Sequence, residues 1–220
     1  MRVGLFITCV NDLMYPRTGR AVVSILERLG VRVEFPEAQT CCGQMHGNSG
    51  HQALAAALRD RFGAVFEGFD AVVSPSGSCV AFLRESYANV YELSEFLVDV
   101  LGTDDVGGVF PHRVTYHPTC HGLRMLHLGD KPLRLLANVR GIELLPLDRD
   151  VECCGFGGTF SIKNSDVSSA MLADKCSAVI DTGAEFLAAA DNSCLTHIGG
   201  GLSRRNGPKA IHYAEILAAS

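Results

Sequence analysis

Apolar positions along this chain fall in short unbroken runs that alternate with longer stretches where they recur every three or four residues. Residues 3–8 read as a buried strand. Residues 17–29 place Ala21, Val22, Ile25, Leu26 and Leu29 on one helical face and stop at Gly30, and residues 31–35 return as a strand. This is a βαβ unit. Residues 49–66 predict a helix with Ser49 as its cap, followed by a strand over 71–74 and the turn Pro75-Ser-Gly-Ser-Cys79. The second half repeats the order: strand 114–117, helix 133–140, strand 142–145, helix 166–181, strand 185–189, and a helix entered around Cys194. Such alternation predicts an α/β fold, here two duplicated βαβ-type domains with mainly parallel sheets. Breakers and acids gather in residues 102–111, which sets the domains at 1–103 and 112–220.

The duplication is clearest in the cysteines. Cys41-Cys42-Gly43 returns as Cys153-Cys154-Gly155, and each copy lies between two further cysteines. In the first copy 31 residues separate Cys9 from Cys41 and 36 separate Cys42 from Cys79; in the second, 32 separate Cys120 from Cys153 and 39 separate Cys154 from Cys194. Neighbouring text repeats too: VGLFITC (3–9) lies opposite VTYHPTC (114–120), and Leu93-Ser-Glu-Phe-Leu97 opposite Tyr213-Ala-Glu-Ile-Leu217. A period near half the chain means duplicated domains rather than a solenoid. Because Cys9, Cys79, Cys120 and Cys194 follow the carboxyl ends of predicted strands, each quartet is expected at the sheet edge where open α/β folds bind ligands.

Composition narrows the chemistry. A net charge of −5, with no basic run longer than Arg204-Arg205, argues against a nucleic-acid partner. No run approaches a membrane span, and Asn11 and Asp12 interrupt the amino terminus before a signal peptide is complete, so a cytoplasmic location is expected. Nine cysteines, an odd number that includes adjacent pairs, suit reduced, metal-binding or redox thiols better than disulfides.

Four gathered thiols hold either an iron–sulfur cluster or zinc. The chain has no C-x-x-C knuckle, and adjacent side chains point apart, which suits a cluster several ångströms across better than one tetrahedral ion. A zinc-stabilised scaffold stays the alternative, and thiol–disulfide chemistry a third reading. The ferredoxin run C-x₂-C-x₂-C is absent.

The series Phe35-Pro-Glu37, Thr40-Cys-Cys-Gly-Gln44, Ser76-Gly-Ser-Cys79, Tyr116-His-Pro-Thr-Cys120, residues 138–145, residues 153–161 and residues 212–217 spans nearly the whole chain. It resembles the CCG-domain (cysteine-rich) iron–sulfur proteins, which include the CCG-bearing component of heterodisulfide reductase and the iron–sulfur component of glycolate oxidase, and is most similar to their lactate-utilisation branch. The resemblance implies an oxidoreductase component that works with other iron–sulfur subunits in converting L-lactate, a small carboxylate, to pyruvate. It also implies up to two clusters, of the 4Fe-4S kind, on Cys9, Cys41, Cys42 and Cys79 and on Cys120, Cys153, Cys154 and Cys194. The heterodisulfide reductase type has C-x-x-C where this chain has Ser76-Gly-Ser-Cys79 and Asp191-Asn-Ser-Cys194, so a fifth thiol is missing from each set.

Other candidates have simpler readings. Cys176 lies in a predicted helix and reads as a small buried apolar residue. His117 and His121 flank Cys120 and could hydrogen-bond cluster sulfur or carry protons. Gly155-Phe-Gly-Gly158 lacks the dinucleotide spacing and reads as backbone N–H groups aimed at sulfur. Arg17, Arg20 and Lys163 read as solvated helix-end charges, and Glu95 and Glu215 as acids at helix amino termini. No residue is assigned as catalytic, and no flavin or nicotinamide fingerprint stands out.

Overall fold

The computed structural model describes residues 1–220. It contains two four-stranded sheets, and every strand pair in them is parallel. The first holds β1 (Val3–Leu5), β2 (Val33–Glu34), β3 (Ala71–Ser74) and β4 (Val90–Glu92) in the order β2-β1-β3-β4. The second holds β5 (Arg113–His117), β6 (Glu143–Leu145), β7 (Phe186–Ala189) and β8 (Lys209–His212) in the order β6-β5-β7-β8. The α/β class and the duplication are thus both present. Register is shared as well: Val3 stands opposite Ala71 as Val114 stands opposite Phe186. No helix is long and apolar enough to cross a membrane.

One helix differs from its sequence expectation. Residues 49–66 do not form a single helix capped by Ser49; Ser49 is instead the C-terminal cap residue of Gln44–Asn48, and the longer helix Gln52–Val65 is preceded by His51 as its cap residue. Gly50 breaks the run by turning left-handed, at φ +85°.

The halves interlock. The short helix Leu93–Glu95 packs against Lys131–Ala137 of the second half, and its counterpart Tyr213–Ala218 packs against Pro16–Arg28 of the first. Pro16–Arg28 is strongly amphipathic, with Ala21, Val22, Ile25 and Leu26 buried, and it supplies one wall of a 23-residue cluster that runs through both halves. Tyr213 is fully buried, and its hydroxyl donates to Glu92 Oε1 at 2.6 Å. Glu92 also accepts from Ser94, and Glu95 closes a capping box with it.

Burial pushes the Glu92 carboxyl up to about 7, although hydrogen bonds from Ser94 and Tyr213 oppose the shift. An acid whose folded pKa lies above its unfolded value leaves the folded state holding the extra proton, so stability should fall as pH rises from about 5 to about 7 and level off above that. Denaturant midpoints measured across this window test it: Glu92→Gln should flatten the decline, and an unchanged slope would show that Glu92 is not its source.

Candidate metal centre

Each quartet is assembled from the same three devices. Cys9 and Cys120 open the helices Cys9–Met14 and Cys120–Arg124 just beyond a central strand, and the Thr119 hydroxyl caps the latter by accepting from Gly122 N at 3.1 Å. Cys41-Cys42 and Cys153-Cys154 sit in loops that end in a left-handed glycine, with Gly43 at φ +91° and Gly155 at φ +89°. Cys79 and Cys194 lie in the first turns of Gly77–Arg84 and Asn192–Ser203, which follow β3 and β7.

The four thiols of each quartet gather on the wall of one cavity, and in the first quartet Cys42 Sγ donates to Cys79 Sγ. Cys42 Sγ lies 3.2 Å from Cys79 Sγ. The amides of Gly43 and Gly155 donate to Cys41 Sγ and Cys153 Sγ, each at 3.4 Å. Hydrogen bonds from Cys42 and Cys9 hold the Cys41 thiol down to about 2, and those from Cys120 and Cys154 hold Cys153 at about 2. The same bonds, helped by burial, push Cys9, Cys42, Cys120 and Cys154 well up. A quartet therefore presents a ready thiolate flanked by thiols that still carry protons at neutral pH. Metal loading should release protons and weaken as pH falls; anaerobic zinc titrations in a dilute pH-indicator solution check this, and loading without proton release would contradict it.

The sequence predicts a site at the edge of each sheet; the structure turns those two edges toward each other. All eight quartet cysteines line one cavity of about 330 Å³ between the halves, with Gln44, Met45, His121, Phe156 and Ile162 on its wall. Arg17, Arg20 and Lys163 do not reach it, and neither does Cys176, which is fully buried among Val179, Leu195 and Ile198. Arg17 lines a separate cleft of about 940 Å³ that holds no cysteine. At the positions of the missing fifth thiols, Ser76 and Asp191 meet across the junction. Ser76 Oγ donates to Asp191 Oδ2 at 3.2 Å, Ser78 N donates to the same oxygen at 2.9 Å, and Asp191 Oδ1 caps its own helix by accepting from Ser193 N at 3.0 Å.

Two residues behind the second quartet stand out. Both ring nitrogens of His117 are buried without a hydrogen-bond partner, and one lies within 4.8 Å of Cys154 Sγ and Cys194 Sγ. His121, by contrast, has Nε2 3.1 Å from Gln44 Nε2 on the cavity wall. Lys175, which the sequence does not single out, is 1% exposed and donates to the Arg149 carbonyl at 2.7 Å. A lysine among the inward-facing positions of the helix Ser165–Asp181 is the signal that could have found it.

His117, Cys154 and Cys194 form a three-donor set whose ligand atoms lie mutually within 4.8 Å, and Cys42 Sγ and Cys79 Sγ stand 3.2 Å apart. Gathered thiols with backbone amides aimed at sulfur suit a thiophilic metal guest.

Comparison with known proteins agrees with this donor set. The profile of the CCG cysteine-rich domain matches twice, at residues 3–84 and 114–199. The chain is 45% identical to lactate utilization protein A of Geobacillus kaustophilus, covering 100% of this chain and 99% of the relative. It is also 45% identical to lactate utilization protein A of Oceanobacillus iheyensis, over 99% and 96% of the two chains. Among solved structures, Picrophilus torridus aspartate racemase superposes with a TM-score of 0.42 at 13% identity, covering 99% of this chain and 91% of that one. With the cysteine-rich domain matched in both halves and full-length relatives at this identity, the chain belongs to the CCG cysteine-rich domain family and, within it, to the lactate utilization protein A family.

Proposed function

We propose that this protein is an iron–sulfur oxidoreductase subunit of a lactate-utilisation system and takes part in the oxidation of L-lactate to pyruvate. The observation that carries the reading is the pair of matched thiol quartets around one cavity, each with a backbone amide aimed at sulfur. Cys9, Cys41, Cys42 and Cys79 would hold one cluster, and Cys120, Cys153, Cys154 and Cys194 the other. Bound clusters supply one-electron uptake and release. The protein's part is to keep the thiols converged, to aim the Gly43 and Gly155 amides at sulfur, and to exclude water by burying Cys42, Cys79 and Cys154.

No Arg or Lys lines the cavity, and Asp191 does, so its wall offers no fixed positive charge to neutralise a carboxylate. This supports placing lactate binding on a partner subunit, with the present chain carrying electrons. In a bacterium carrying this gene, deletion should abolish growth on L-lactate and spare growth on glucose. The wild-type gene should restore growth, and a gene with Cys42→Ser and Cys154→Ser should not. Restoration by the doubly substituted gene would overturn the reading.

A further inference from the structure

The two quartets are built alike, but what stands behind them is not. Strand register makes Phe6 and His117 equivalent, each the third residue after Val3 or Val114. Glycine contacts make Phe62 and Lys175 equivalent: Gly43 lies against Ala55 and Leu58 as Gly155 lies against Ser168 and Met171, and Phe62 and Lys175 each stand seven residues beyond the first of these contacts. In the first half the Phe6 and Phe62 rings meet edge to face, centroids 5.1 Å apart, in one apolar cluster with Cys42 and Cys79. In the second half the same two places hold an imidazole and an amine, both buried.

Lys175 has a partner in the Arg149 carbonyl, but His117 is not explained by packing. A fully buried imidazole with no partner on either nitrogen forgoes about 1–3 kcal/mol per unsatisfied group, and phenylalanine already fills the matching place. The Cys154 and Cys194 sulfurs lie within 4.8 Å of a His117 ring nitrogen, outside a direct hydrogen bond in this structure but near enough for one to form when the quartet closes on a guest. A hydrogen-bond donor on sulfur and a buried cation in the same half both favour the more negative, reduced state of a thiolate-held cluster, whereas two phenyl rings only remove water.

We propose that His117 and Lys175 make the second site unlike the first and hold its reduction potential above that of the first. The inference rests on the cluster reading above and concerns these two tuning residues alone.

Dithionite titration of the full-length, anaerobically loaded protein, followed by electron paramagnetic resonance, tests it. Wild type should reduce in two separate steps. Cys42→Ser protein should keep the higher step and Cys154→Ser protein the lower one, which assigns them. His117→Phe and Lys175→Met should each move the higher step down toward the lower and leave the lower in place. Two clusters that reduce together in wild type would overturn the proposal without recourse to any variant, as would loaded variants that leave the higher step unmoved or shift both steps equally. Protein holding neither iron nor sulfide would sink the cluster reading itself, and the tuning with it.

Discussion

Cys154→Ser is expected to empty the second quartet and leave the first loaded, so that the chain keeps about half of its iron and sulfide. Cys154 is 1% exposed and belongs to the adjacent pair at the centre of its quartet. A serine hydroxyl there is a far weaker and harder ligand than a thiolate. Cys42→Ser should do the same to the first quartet, for the same reason. Cys176→Ser is the control: it shares an apolar cluster with Cys154 but does not line the cavity, and should leave metal content intact. Iron and acid-labile sulfide measured per chain decide the matter. Loss of all iron from either single variant would mean one shared guest rather than two; no loss at all would remove these cysteines from the ligand set.

Gly155→Ala should be among the most destabilising single changes in the cysteine loops. A left-handed non-glycine residue costs about 1–2 kcal/mol. Here the added Cβ would also stand 2.8 Å from the Ser168 carbonyl oxygen and 2.9 Å from Met171 Cβ, both on the packed face of Ser165–Asp181. Overpacking of that kind costs about 1–3 kcal/mol more, for a total of roughly 2–5 kcal/mol and a fall in Tm of roughly 5–15 °C. Gly129→Ala isolates the backbone part, because Gly129 is also left-handed, at φ +62°, but has open space around its would-be Cβ. Thermal unfolding of the metal-free, reduced protein should show a roughly two- to threefold larger loss for Gly155→Ala. Equal losses would show that the turn has room and that the close approach to the helix is not what requires glycine.

The same two cysteine loops show how much the sequence reveals. Adjacent thiols followed by glycine, twice, announce tight turns that bring ligands to strand ends, and the glycine requirement is met in both copies by positive φ and a crowded Cβ. β3 matches its apolar run residue for residue, because an uninterrupted Ala-Val-Val-Ser segment between breakers has few alternatives. β4 and β8 escape a reading by periodicity: Val90-Tyr-Glu92 and Lys209–His212 run straight into helix caps, so no turn residues separate strand from helix. Periodicity describes each element against its neighbours and carries no information on how two halves dock. The facing of the sheet edges, the Ser76–Asp191 contact and the crossed packing of the terminal helices are therefore visible only in three dimensions. His117 is within reach of the sequence, since the aligned text sets it opposite Phe6, and a histidine in a buried strand position asks for a partner.

The central claim is that each quartet grips iron and sulfide rather than a lone ion. Elemental and sulfide analysis of protein purified without exposure to air tests it most directly. The account predicts iron and acid-labile sulfide in comparable amounts, enough for a cluster in each half, with broad visible absorption that is lost together with the metal. Zinc without sulfide, or colourless protein that takes up neither iron nor sulfide on anaerobic reconstitution, would contradict it.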